Sequence, residues 1–195
     1  NALVNGATTV CGQVFSEGVG IKDCLQSLKP HWDRALSEAD GFNAASDGSL
    51  RRGVGVAGMW YGCGNTSLPN PSTIKVAIRN DGQVVLFQGA VDVGQGANTV
   101  ITQICADAAG LDILNFSLVY GDTDLTADAG KTSASRQTFI SGKASYLAGQ
   151  DLRKKILRMV NASEDARLAI NGSKITAIDT AGRNDIDLAA LPADE

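Results

Sequence analysis

The sequence predicts an α+β fold: a mixed sheet with a β-β-α-β-α core and its helices on one face. Three observations carry this expectation. A hairpin signal lies at residues 72–91, and helical patterns lie at 97–110 and 138–160. An extended segment separates the two helices. The hydrophobic period decides each element, two residues for a half-buried strand and 3.6 for a helix with one buried face.

Residues 17–40 read as helical. Ile21, Cys24, Leu25 and Leu28 share a face, Pro30 breaks or restarts the helix, and Trp32, Ala35 and Leu36 continue the apolar stripe. His31, the only histidine, sits at that restart, where a structural or surface role is expected. Residues 41–49 read as a loop. From Arg51, RRGVGVAGMWYGCGN reads as a glycine-rich extended segment in which Val54, Val56 and Met59 alternate. Glycine at that density in a strand signals bulges or a close backbone approach. After the loop NTSLPNPS, STIKVAIR puts Ile74, Val76 and Ile78 on one face. An Asn-Asp-Gly turn follows, and QVVLFQGAV returns as the second strand.

The tripeptide Gly94-Gln95-Gly96 leads straight into ANTVITQICADAAG. There Val100, Ile101, Ile104, Cys105 and Ala108 share a helical face, and Gly110 is the expected C-cap. ILNFSLVYGD reads as a strand and Asp122 to about Arg136 as a polar loop. TFISGKASYLAGQDLRKKILRMV is a long helix whose basic residues gather toward its C-terminal end, as the macrodipole favours. The tail reads as a short strand pair around the Asn-Gly turn at 171–172, then a polar end. The expected organisation is an N-terminal helical linking segment at 1–50, an α+β domain at 51–160, and the strand pair with its tail at 161–195.

Of the 195 residues, 44% are hydrophobic, 22 are glycine and 4 are proline, and the formal net charge is −4. That composition supports a packed core and is unlike a disordered chain. Lys and Arg are scattered without interleaved aromatics, so nucleic-acid binding has no electrostatic support. No apolar run is long enough to span a bilayer, and NALVNGATTVCGQ lacks the regions of a signal peptide. A cytoplasmic protein with no membrane contact is expected. The chain does not begin with Met, which suggests processing or a piece of a longer protein. Cys11, Cys24, Cys63 and Cys105 are far apart with no CxxC pair. Zinc or iron–sulfur ligation within the chain is therefore not expected, and the spread suits a reducing compartment. Cys105, in a helical apolar pattern, reads as a buried small hydrophobe.

Three stretches could carry chemistry. VDVGQGANTV joins a strand to a helix start, which is a ready anion site if the amides of Gly96, Ala97 and Asn98 are free. The Gln95 amide would both donate and accept there. The plain alternative is a tight turn in which the glycines serve only the backbone. AGKTSASRQTFISGKA crowds Thr132, Ser133, Ser135, Arg136 and Gln137 at a second helix start. Its Gly-Lys-Thr is not a nucleotide P-loop, because position 125, where that motif needs glycine, is Leu. Capping by Ser135 or Thr138 is the plain reading of this stretch. GDTD with Asp128 lacks EF-hand spacing and reads as a solvated acidic loop. The first two stretches follow strands and open helices on successive βα units, so they can converge on one end of the sheet. Together they suggest a pocket for a polyanionic ligand. A non-catalytic phosphate- or nucleotide-binding module is the alternative on the same residues.

The succession VDVGQGANTVITQICADAAGLD, FSLVYGDTD and AGKTSASRQTFISGKA resembles the molybdenum hydroxylases, the xanthine dehydrogenase and aldehyde oxidase family. NALVNGATTVCGQVFSEGVGIKDCLQSL is similar to the linking segment of their molybdopterin-binding subunit, and RRGVGVAGMWYGCG to the strand before its hairpin. The resemblance covers the chain to about residue 160. It implies a molybdopterin cofactor, with or without a cytidine nucleotide, carrying molybdenum through its own dithiolene. It also implies hydroxylation of a heterocycle or aldehyde with water-derived oxygen. By the same resemblance, Gly94, Gln95 and Gly96 contact the pterin, and Thr132, Ser133, Ala134, Ser135, Arg136 and Gln137 run beside pterin and phosphate, with Ala134 near the metal face. The partners implied are the rest of the molybdenum subunit, iron–sulfur and FAD domains or subunits, and a small-molecule substrate. The family's catalytic base is a glutamate in a Gly-x-Gly-Glu segment, and this sequence has no Gly-Glu dipeptide. The resemblance thus implies an internal fragment that is inactive alone, with no catalytic residue and no protein metal ligand of its own.

Overall fold

The computed structural model describes residues 3–10, 12–59, 61–62, 64 and 69–192. The expectations for Cys11 and Cys63 fall outside the described residues. So do parts of the loop at 65–72 and of the polar end. The chain divides into two units, Asn1–Met59 and Trp60–Glu195.

The first unit is built on α1 (Ile21–Ala45). The expected break at Pro30 does not occur, and the expected loop at 41–49 begins only at Ser46. Proline removes one backbone donor and crowds the carbonyl four residues earlier. Here that residue, Gln26, is exposed, so water can take the freed carbonyl. The Lys29–Asp33 pair at 2.7 Å supports the turn that contains Pro30. His31 lies inside the helix, with Nδ1 3.1 Å from Arg34 Nη2. Only Ala39 of this helix is buried. The described residues between 51 and 59 form no strand, which corrects the alternating reading. Their glycines gain nothing from extended pairing, and Met59 is 86% exposed.

The second unit has the expected core order. β1 (Ile74–Ile78) pairs antiparallel with β2 (Val84–Gln88), and β2 pairs parallel with β3 (Phe116–Tyr120). Between β2 and β3 lies α2 (Ala97–Ala109), and α3 (Gln137–Met159) follows β3. Residues Ile113–Asn115, expected as strand, are a 3-10 turn because the Asp112 side chain accepts from the Leu114 amide. Leu86 of β2 packs with Ile101 and Cys105 of α2, while Val84 packs with Leu152 and Ile156 of α3. The two helices meet at Gly149, where an added Cβ would stand 2.5 Å from the Cys105 carbonyl oxygen.

The expected strand pair is part of a three-stranded antiparallel sheet, β4 (Arg167–Asn171), β5 (Lys174–Asp179) and β6 (Gly182–Asp187). The segment GRNDID hides a strand because its polar side chains are partnered rather than unordered. Thr176 donates to Asp185 at 2.6 Å across the ladder. Leu188, in the tail expected to be polar, is 3% exposed and joins the core.

Candidate functional site

Both stretches singled out in the sequence meet at the ends of β2 and α3. Gln95, Thr132, Ser133, Ser135, Arg136 and Gln137 line one cleft of about 400 Å³, together with Tyr61, Val93 and Thr138. The loops are tied at one atom. The Val91 carbonyl accepts from Thr132 Oγ1 at 2.7 Å and from Gln95 Nε2 at 3.3 Å. Gln95 Oε1 accepts from the Val93 amide at 2.7 Å, so this carboxamide lies along its own loop on the cleft wall. Gly94 and Gly96 have φ of 110° and 80°, values that favour glycine. A Cβ at either would meet nothing within 4 Å, so open space borders both glycines.

Of the amides expected to form an anion site, Gly96, Ala97 and Asn98, two are taken by the protein itself, those of Gly96 and Asn98. Asp92 Oδ1 accepts from Gly94 N at 2.8 Å and Gly96 N at 3.2 Å, and Oδ2 accepts from Asn98 N at 3.1 Å. Bonds from Gly94 and Asn98 are the main cause that holds the Asp92 carboxyl below its ordinary range. A carboxylate already stands where a phosphate was expected, and a second anion there would be repelled.

The start of α3 is different. Its N-cap is Arg136, with no side-chain hydrogen bond to the first turn. The expected caps, Ser135 and Thr138, do not fill that role. Amides of a first helical turn have no intrahelical acceptor and carry the positive end of the dipole. Among the described residues, the hydroxyls of Ser133 and Ser135 also have no protein hydrogen bond. Ala134 and Ser135 are in the left-handed region, at φ 50° and 53°. Two such non-glycine residues cost on the order of 1 kcal/mol each, so the surroundings must hold them. The Ala134 amide donates to Tyr61 Oη at 2.7 Å, and the Ala134 carbonyl accepts from Gly64 N at 2.6 Å.

Arg136 is 1% exposed and lies under this cleft. Its Nε donates to Asn70 Oδ1, Nη1 to the carbonyls of Ala129 at 2.7 Å and Lys131 at 2.9 Å, and Nη2 to that of Pro71 at 2.9 Å. It has no carboxylate partner among the described residues, so the net positive charge stays beside the cleft. Gly130, at φ 68°, is packed against it, and a Cβ there would stand 2.9 Å from both terminal nitrogens. Gln137 continues the wall. Its Nε2 donates to Thr132 Oγ1 at 3.0 Å, and its Oε1 accepts from Ser141, which accepts from Ser72 at 2.9 Å. In the acidic loop, Asp122 accepts from the amides of Asp124 and Leu125, and Asp128 from that of Gly130. These carboxylates close turns.

Sequence reasoning missed Tyr61 and Asp92. Tyr61 gave no signal, because its partner is 73 residues away. Asp92 did give one: an aspartate just before a Gly-x-Gly helix start is a capping pattern.

The family described as the molybdopterin cofactor-binding domain matches residues 27–192. The xanthine dehydrogenase molybdenum-binding subunit of Escherichia coli O157:H7 is 31% identical over 146 residues, 71% of this chain and 18% of that subunit. The chain therefore spans less than a fifth of this relative. Among solved structures, the aldehyde oxidoreductase of Desulfovibrio desulfuricans ATCC 27774 matches with a TM-score of 0.58 at 22% identity, over 93% of this chain and 23% of that one. Quinoline 2-oxidoreductase of Pseudomonas putida 86 matches at 0.52 and 18%, over 94% of this chain and 24% of that one. At those identities the two structures establish a shared fold.

Proposed function

The chain belongs to the molybdopterin cofactor-binding domain family, and we propose that it forms one wall of the cofactor cleft in a larger molybdenum-dependent hydroxylase of the xanthine dehydrogenase and aldehyde oxidoreductase type. The observation that carries this reading is the start of α3, to which its N-cap side chain makes no bond, opening into a cleft beside a buried cation. The residues fit the group. A pterin with a phosphate is flat, rich in hydrogen-bonding edges and anionic. The cleft offers two free hydroxyls, a helix start, a carboxamide and an uncompensated positive charge.

In this reading Ser133 and Ser135 donate to the cofactor's anionic end together with the first amides of α3. Gln95 presents its carboxamide to the pterin edge, and Gly94 and Gly96 let the ring system approach the backbone. Thr132 and Gln137 keep the two loops at a fixed spacing through Val91. Arg136 contributes charge and holds the segment from 129 to 137, while Ala134, small and held in place by Tyr61, leaves room beside the reacting face. The bound cofactor supplies two-electron oxidation chemistry that places water-derived oxygen on a heterocycle or aldehyde carbon. The general base, the iron–sulfur and flavin groups and most substrate contacts come from the rest of the enzyme, so this chain alone is inactive.

The test uses the complete gene product from a host that makes the cofactor. Pterin released by acid oxidation is quantified for wild type, the Ser133→Ala/Ser135→Ala double variant and an Asp107→Asn surface control. The double variant is expected to lose most of its pterin while the control keeps it. Equal pterin in all three would overturn the assignment of this cleft.

A further inference from the structure

The α2 start and the α3 start border one ligand region, yet they are treated oppositely. At α3 the N-cap residue, Arg136, makes no side-chain bond to the first turn. At α2 a single carboxylate gathers three amides, those of Gly94 and Gly96 in the loop and of Asn98 in the first turn of the helix. The glycines at 94 and 96 are there for their left-handed φ, not for want of space. Glycine in that region is no more stable than glycine elsewhere, so the loop needs an outside constraint to keep one shape. Asp92 is that constraint, and it is supported from beneath. Asn98, whose amide it holds, accepts through Oδ1 from Gln88 Nε2 at 2.7 Å. Gln88 is fully buried at the end of β2, and its Oε1 has no partner among the described residues. A buried unpaired acceptor is costly. Gln88 retains that cost at the end of β2 while anchoring Asn98, and through it Asp92, to the sheet.

We propose that Asp92 is the positioning residue of the Gly94-Gln95-Gly96 loop, and that as a built-in anion at α2 it directs the cofactor's negative end to the α3 side of the cleft. The proposal rests on the cofactor reading above for its second half, and on the hydrogen bonds alone for its first. Gln95 acts through this geometry: its carboxamide reaches Val93 and Val91 only in the loop shape that Asp92 imposes. No salt bridge among the described residues involves Asp92. Its control of the loop therefore runs through backbone amides rather than a paired cation.

The experiment needs no molybdenum cofactor, so its outcome is separate from that of the family assignment. Amide exchange and amide chemical shifts are followed by NMR in this chain, wild type against Asp92→Asn and Asp92→Ser, with inorganic phosphate as the probe. The amides of β4 to β6 serve as the fold control. The expected result is exchange at least tenfold faster at Gly94, Gly96 and Asn98 in both variants, with the control amides unchanged. Phosphate should move the amides of Gln137 and Thr138 in wild type, and should move those of Gly96 and Asn98 only once the carboxylate is gone. Unchanged exchange at the three amides would overturn the positioning role. Phosphate shifts at Gly96 and Asn98 in wild type would overturn the directing role. If Asp92→Asn does not fold, Asp92→Ser and the wild-type phosphate titration decide the same two points.

Discussion

Replacing Arg136 with Met tests whether that side chain holds the loop or waits for a ligand. The structure gives it four acceptors, Asn70 Oδ1 and the carbonyls of Pro71, Ala129 and Lys131. Hydrogen bonds to charged groups contribute about 1.5–3 kcal/mol each, and they are not additive. Met removes the cost of burying a cation but leaves those acceptors unpaired, at about 1–3 kcal/mol apiece. Breaking a buried charged network of this kind costs about 3–5 kcal/mol in general. The cleft admits water to one side of it, so about 3 kcal/mol is expected. For a chain of this size each kcal/mol shifts the melting point by about 2–4 °C, which gives a fall of roughly 6–12 °C in the absence of any ligand. Arg136→Lys keeps the charge but lacks the fork that reaches four carbonyl-type oxygens, and should recover less than half of the loss. The assay is thermal unfolding followed by circular dichroism. A Met variant that melts within about 2 °C of wild type would refute the reasoning and leave Arg136 as a ligand contact only.

Two glycines of α3 should respond to alanine in opposite directions. A Cβ at Gly149 meets the Cys105 carbonyl at 2.5 Å and Ala108 Cβ at 2.9 Å, so Gly149→Ala pushes α2 and α3 apart and costs about 1–3 kcal/mol by urea unfolding. At Gly142 the near atom is the flexible end of Ile104, so Gly142→Ala should be neutral or gain up to about 1 kcal/mol of helix propensity. Asp185 is held at about 2 by the Thr176 hydroxyl, then by Lys174, with Arg183 adding to it. A carboxyl whose folded pKa lies below its unfolded value stabilises while ionised. That contribution should be complete above about pH 5 and lost as pH falls through about 2, and melting curves of Asp185→Asn should show a flatter acid limb. Burial pushes the Cys105 thiol up to about 11, whereas Cys24 is exposed. Peptide mapping after alkylation at pH 8 should show Cys24 modified and Cys105 intact until the protein is unfolded.

What could be read from the residues was whatever repeats locally. The hairpin around Asn80-Asp81-Gly82, the C-cap at Gly110 and the length of α3 follow from period and turn chemistry. The cleft residues Gln95, Thr132, Ser133, Ser135, Arg136 and Gln137 were legible as a set because both loops open helices after strands. Which helix start remains open is not legible in the sequence, since it turns on a single carboxylate, Asp92, whose bonds depend on the loop's three-dimensional shape. Pro30 misled because its penalty falls on a carbonyl that an exposed helix can hand to water. β6 was hidden by polar side chains whose partners, Thr176 and Lys174, lie on another strand. Tyr61 was invisible because nothing near it in sequence marks its contact with Ala134.

The central claim is that this chain walls a molybdopterin site, and molybdenum per subunit tests it most directly. The complete gene product, from a host that makes the cofactor, is measured by metal mass spectrometry as wild type and as Gln95→Glu. That substitution keeps an acceptor for the Val93 amide but puts a negative charge on the cleft wall. The account predicts molybdenum near one per wild-type subunit and a large loss in the variant. Wild-type protein without molybdenum, from a host shown to load another molybdenum enzyme, would contradict it.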